Sequence, residues 1–181
     1  MKRCAILLGN DDGLLSTNLD LDKVYRFLRS NRGGAWEDGE IIKQANVFRV
    51  DLDLILSAIR KEGFDFTIFY FTGHGEYARG TSLVLNSDGE TINESELAGL
   101  GARQLNIFDC CRRFPEKVMS KFANFAATDG LSESRSLGRA LCRALYDVRN
   151  MAAVPQLMTL YACGIGKYAY DSGHGVSIQT I

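Results

Sequence analysis

FDFTIFYFTGHGEY, residues 64–77, is the stretch that decides how this chain folds. Residues Phe64 to Phe71 are mostly aromatic or β-branched, the composition of a strand buried on both faces. Such a strand belongs in the middle of a parallel sheet with helices packed on either side. The run then ends on His74, set between Gly73 and Gly75. Glycines there let the backbone turn sharply and approach another molecule closely.

Outward from this stretch, short apolar runs alternate with helical patterns. Toward the N-terminus, Cys4–Leu8 reads as a buried strand. Leu19, Leu21, Val24, Phe27 and Leu28 recur at helical spacing, so residues 20–29 read as an amphipathic helix. Residues 30–39 form a polar loop, and Ile41 and Ile42 belong to a second strand. Asp51 caps a helix running to Ile59. Toward the C-terminus, residues 82–86 and the turn Ser87-Asp88-Gly89 predict a small hairpin. Asn93 with Glu96 predicts a capped short helix. Leu105–Asp109 reads as another apolar strand, residues 112–136 as a polar loop, Leu137–Val148 as a helix and Leu157–Ala162 as the last clear strand. In that last helix Leu137, Leu141, Leu145 and Val148 share one stripe. The alternation predicts an α/β fold with a mainly parallel central sheet, in which ligands gather at the carboxyl ends of the strands.

The composition narrows the function classes. With 46% hydrophobic and 24% charged residues among 181, the chain fits one soluble globular domain. A net charge of −1 disfavours nucleic acid and membrane surfaces as partners. No apolar run approaches the roughly 20 residues of a membrane span. The start, MKRCAILLGNDDG, has the charge and apolar run of a secretory signal, but Asp11 and Asp12 interrupt it and it reads as a first strand. The five cysteines, Cys4, Cys110, Cys111, Cys142 and Cys163, are odd in number and include no CxxC pair. That predicts no structural zinc and a reducing compartment, the cytoplasm. No calcium-loop motif is visible.

Two strand ends carry the chemistry. One is Phe71-Thr72-Gly73-His74-Gly75-Glu76, and the other is Ile107-Phe108-Asp109-Cys110-Cys111-Arg112. If the two strands are sheet neighbours, imidazole and thiol meet above them. An imidazole beside a thiol lowers its pKa and later protonates a leaving amine. The N–H groups of Gly75 and Cys111 are then placed to hold an oxyanion. Taken singly, a buried cysteine is a small hydrophobe and a lone histidine a structural residue. The combination is what points to catalysis.

FYFTGHGEY and IFDCCRR, with His74 and Cys111 separated by 37 positions, resemble the catalytic segments of the caspase-like peptidases, the group of caspases, metacaspases and paracaspases. Residues 157–163, 164–171 and 172–175 resemble the strand, substrate loop and helix start of their small-subunit part. The opening LLGND and the helix near Val24 also fit, so the resemblance covers nearly the whole chain. It implies a caspase-like three-layer sandwich with a mainly parallel central sheet. It also implies a cysteine endopeptidase, with His74 as general acid/base and Cys111 as nucleophile. Cys110 falls where the family usually has a small residue. The Gln-Ala-Cys-x-Gly signature is not met, because Asp109 replaces Gln and Arg113 replaces Gly. The metacaspase Cys-His-Ser-Gly continuation is also missing, and Asp-x-Cys-Arg looks closest to paracaspases.

For the pocket that takes the P1 side chain, the resemblance implies Asp109 and Asp171, with Asp20 or Asp22 as a third acid. The plain alternatives are solvated loop carboxylates and, at a helix start, residues serving the helix dipole. Acids in this pocket imply cleavage after Arg or Lys, with protein or peptide substrates and no cofactor or metal. His174, Cys4, Cys142 and Cys163 read as structural. The family further implies control by processing, a regulatory partner or homodimerisation. The expected organisation is one peptidase domain over 1–181, with a large-subunit-like part (1–111), an intersubunit-like loop and helix (112–155) and the start of a small-subunit-like part (156–181). Residues 176–181 resemble the beginning of a family helix, and the usual last helix and strand have no counterpart. The chain thus reads as a fragment or as one completed by a partner. Two rivals stand beside the enzyme: a catalytically silent caspase-like interaction module and a nucleotide-binding α/β signalling domain. The second lacks both GxxxxGK[ST] and GxGxxG.

Overall fold

The structure, a computed structural model, describes residues 1–114 and 138–167. Five parallel strands form the central sheet in the order β2-β1-β3-β7-β8. They are β1 (Arg3–Gly9), β2 (Ile41–Ala45), β3 (Phe64–Gly73), β7 (Gly101–Cys110) and β8 (Gln156–Tyr161). Helices α1 (Thr17–Arg29), α2 (Arg49–Glu62) and α3 (Arg139–Ala152) connect or flank them, and a small antiparallel sheet holds β4 (Gly75–Tyr77), β5 (Thr81–Val84) and β6 (Thr91–Asn93).

Alternation along β3 builds two cores. Phe69 and Phe71 face Leu52, Leu56 and Ile59 of α2 and Leu83 and Ile92 of the small sheet. Phe66, Ile68 and Tyr70 face Leu21 and Leu28 of α1, together with Trp36. The strand is therefore covered on both sides, and the sheet is the middle of three layers. Asn93 and Glu96 form the capping box expected from the sequence, at the start of a single 3-10 turn, Glu94–Leu97. Helix α2 begins at Arg49, ahead of Asp51.

One expectation fails on its face. The stripe read in α3 points outward: Leu141, Leu145 and Val148 are 41% to 66% exposed, while Leu137 lies outside the described residues. The helix docks instead through its polar and aromatic side. Tyr146 packs edge-on against Trp36 and Phe66. Arg139 and Arg143 donate to the carbonyls of Trp36 and Ala35. Strand β8, at the sheet edge, likewise leaves Leu157, Met158 and Leu160 about half exposed.

A buried ion network joins this helix to the first strand. Arg3 is wholly enclosed, stacks 4.4 Å from the Trp36 ring and pairs with Asp147 and Glu40. Arg143 pairs with the same Glu40. Burial pushes the Glu40 carboxyl up, but hydrogen bonds from Arg143, the Glu37 N–H and Arg3 outweigh it and hold it at about 2, below its ordinary 4.5. A carboxylate depressed in this way stabilises the fold fully above its unfolded pKa, and the contribution is lost as pH falls through about 2. Glu40→Gln should therefore cost about 3 kcal/mol in urea unfolding at pH 7, because Arg3 and Arg143 both lose the carboxylate they share. The difference between the proteins should shrink below pH 4 and vanish near pH 2. A constant difference across that window would contradict this account of Glu40.

Candidate active site

Strands β3 and β7 are neighbours, with Thr72 opposite Asp109 and Gly73 opposite Cys110. One residue further along each strand stand His74 and Cys111. The register therefore brings the two segments side by side at the carboxyl end of the sheet. Gly73 turns the chain there with φ 146°, a conformation that favours glycine. It also lies tight on Asn10, where a Cβ would come within 3.0 Å of backbone atoms. Past the turn, Gly75 enters β4 against the other strand end. A Cβ on Gly75 would lie 2.7 Å from both the Cys110 Sγ and the Cys111 carbonyl oxygen.

His74 is exposed, and its Nε2 lies 2.7 Å from the carbonyl oxygen of Asp12. A carbonyl only accepts, so this nitrogen carries the proton and donates it. In the neutral ring Nδ1 is then left with its lone pair. The anchor is a backbone atom of the loop after β1, for which side-chain chemistry gives no sequence signal.

The two adjacent thiols differ. Cys110 is buried in the core with Phe108, on the face of α2. Burial, and then the neighbouring Cys163 and Cys111 thiols and Asp109, push its pKa up. Cys111 follows the last residue of β7 and His74 the last residue of β3. Cys111 is half-buried. Its successor, Arg112, turns away into a cradle of its own: the guanidinium lies 3.6 Å over the Tyr161 ring and Nε donates to Thr81 Oγ1 at 3.1 Å. Arg113 continues the small sheet, its carbonyl accepting from Tyr77 N at 2.7 Å.

A caspase domain model matches residues 2–181. This chain belongs to that family. The parallel sheet and its flanking helices agree with the caspase-like sandwich, and the family is one of cysteine peptidases, whose substrates are proteins. No curated protein matches the chain.

Within this caspase domain the predicted acids separate. Asp109, the last residue but one of β7, is half-buried. Asp22 lies elsewhere: it faces Lys43 of β2 at 2.6 Å and Arg26 of its own helix, and Lys43 draws its carboxyl below the usual range. It is Asp20 that turns inward and is buried. Burial, followed by the carboxylates of Asp109 and Asp20, pushes the Tyr70 hydroxyl far up, against an opposing contact from Thr72. Asp20 and Asp109 therefore both act electrostatically on one buried phenol. The nearby Asn10 Nδ2 is buried without a hydrogen-bond partner among the described residues. Asp171 and His174 lie outside the described residues, as do Lys117, Lys121 and Arg135 of the intersubunit-like loop. Among the described residues no group of histidines, cysteines and acids is arranged to hold a metal, and no helix is long and apolar enough to cross a membrane.

Proposed function

We propose that this caspase domain is a cysteine endopeptidase that cleaves protein substrates after Arg or Lys with the dyad His74–Cys111. The observation that carries the reading is the β3–β7 register, which sets the histidine and the thiol on adjacent strand ends. His74 Nδ1 accepts the Cys111 proton while Nε2 stays tied to Asp12 O. The thiolate sulfur attacks the scissile carbonyl carbon. The N–H groups of Gly75 and Cys111 hold the developing oxyanion. His74 then hands its proton to the leaving amine, and a thioester remains on Cys111. Water attacks that thioester with His74 as base, releasing the acid and restoring the thiol. The P1 cation is met by Asp109 and Asp20, with Asp171 as a further acid. A thiol nucleophile suits a reducing compartment, the cytoplasm.

A fluorogenic peptide library covering every P1 residue tests this. Turnover confined to Arg and Lys supports it. No turnover with any P1 residue, by protein whose thiols are intact, favours the silent interaction module. Gly75→Ala offers a second check. Its Cβ meets backbone on one side and a buried thiol on the other, so the strand ends must move apart. A displacement of about 1 Å in a catalytic pair costs on the order of 10²-fold. A fall of that size in kcat/KM is expected, together with a loss of about 1–3 kcal/mol in stability from overpacking. Undiminished turnover would mean that the close approach at Gly75 has no part in catalysis.

A further inference from the structure

The mechanism leaves Cys163 unused, although it sits against the same strand end. In β8 Tyr161 is the partner of Phe108, and the next link, Ala162 N to Phe108 O at 3.0 Å, carries the chain on beside β7. Arg112 N then donates to Lys167 O at 3.1 Å, and Gly166 N to Arg112 O at 2.7 Å. Between these ties Cys163 Sγ lies 3.3 Å from the Cys110 carbonyl oxygen, the peptide group that leads into Cys111, and 3.5 Å from Lys167 O. Cys111 raises the pKa of Cys163, after burial, and both raise that of Cys110. Cys163 is only half-buried, whereas Cys110 is enclosed beneath Gly75. A disulfide between sequence neighbours 110 and 111 would in addition distort the peptide joining them, since bridges need defined Cα and Cβ separations.

We infer that Cys163 is the resolving thiol of this site: it captures an oxidised Cys111 as a reversible Cys111–Cys163 disulfide. The inference rests on Cys111 being the reactive thiol proposed above. The oxidant is hydrogen peroxide. The Cys111 thiolate attacks one peroxide oxygen, the O–O bond breaks, hydroxide leaves, and Cys111 becomes a sulfenic acid. The Cys163 sulfur then attacks the Cys111 sulfur. The S–S bond forms, the S–O bond breaks, and the departing hydroxyl takes the Cys163 proton to give water. Sulfur loses two electrons and peroxide gains them. A thiol such as glutathione reverses the bridge by exchange. Without Cys163, a second peroxide would take Cys111 to the irreversible sulfinic acid. The carbonyls of Cys110 and Lys167 accept from the Cys163 thiol and hold it near its target.

The test treats the full chain with hydrogen peroxide, blocks remaining thiols, and reads intact mass and non-reduced tryptic peptides. Wild-type protein should lose two hydrogens, join the peptide ending at Arg112 to the one ending at Lys167, and recover fully with dithiothreitol. The link should persist in Cys110→Ala. Cys163→Ser should form no link, should give a dimedone adduct on Cys111, and should progress to the sulfinic acid, which dithiothreitol does not reverse. A link lost in Cys110→Ala, or a dimedone adduct on Cys111 with no link in the wild type, would overturn the role of Cys163 and leave the nucleophile in place. A Cys111 that never reacts with peroxide or dimedone would overturn both.

Discussion

Cys111→Ala should lower peptide hydrolysis by on the order of 10⁴-fold or more, the scale seen when a covalent nucleophile is removed, while Cys110→Ala keeps most of the activity. The two thiols are adjacent in sequence and opposite in environment. Cys110 projects into the core of α2 and the small sheet, and burial there disfavours its thiolate. Its removal leaves a small cavity, costing about 1 kcal/mol in stability without touching the dyad. Cys111 stands one residue past the Gly73–Cys110 pair, level with His74. His74→Ala should fall nearly as far as Cys111→Ala, and the double variant little further, because the pair acts as a unit. Activity that survives Cys111→Ala but not Cys110→Ala would shift the nucleophile by one residue and undo the motif register.

The second large effect concerns charge in the P1 pocket. A P1 side chain that leaves water must meet an opposite charge. Asp20 and Asp109 both bear on Tyr70, one from α1 and one from β7. A guanidinium engages two carboxylates through its fork, whereas an ammonium is a single point, so Arg should be preferred to Lys and both should far exceed Asp. Asp109→Asn and Asp20→Asn should each lower kcat/KM for Arg substrates by roughly 10²-fold, the cost of truncating one partner of a desolvated charge pair. Asp171→Asn should act in the same direction. Alkylation by a small neutral reagent should remain near wild type in all three, since the dyad is untouched. Asp22→Asn, whose carboxylate lies against Lys43, should leave the P1 preference alone. Efficient cleavage after Asp, or indifference to the loss of Asp20 and Asp109 together, would show that the pocket is misassigned even with the dyad correct.

Much of the sheet was legible because most strands are concentrated apolar runs: 64–71 and 105–109 lie within strands of the central sheet and 157–162 overlaps its last strand. The adjacency of β3 and β7 was legible only as a condition, since pairing and register are tertiary facts. Helix α3 departs from the pattern because its leucine stripe is not its packing face: Arg139, Arg143 and Tyr146 make its contacts. Of the two candidate third acids, Asp20 is the buried one and Asp22 lies against Lys43. The signal lay in the spacing of Thr17, Asp20, Leu21, Val24 and Leu28, which form one stripe of α1. Residues two apart on a helix point to nearly opposite sides, so Asp22 had to leave that stripe. The Asp12 carbonyl and the place of Cys163 carry no sequence signal, because both depend on where loops close over strand ends.

A His74-activated Cys111 that accepts a basic P1 residue should be trapped by a peptidyl-arginyl chloromethyl ketone, with the adduct mapped by mass spectrometry. One adduct per chain is expected, on Cys111, lost in both Cys111→Ala and His74→Ala and slowed by competing Arg peptides. An adduct on Cys110 or Cys163, or equal labelling by the aspartyl analogue, would contradict it.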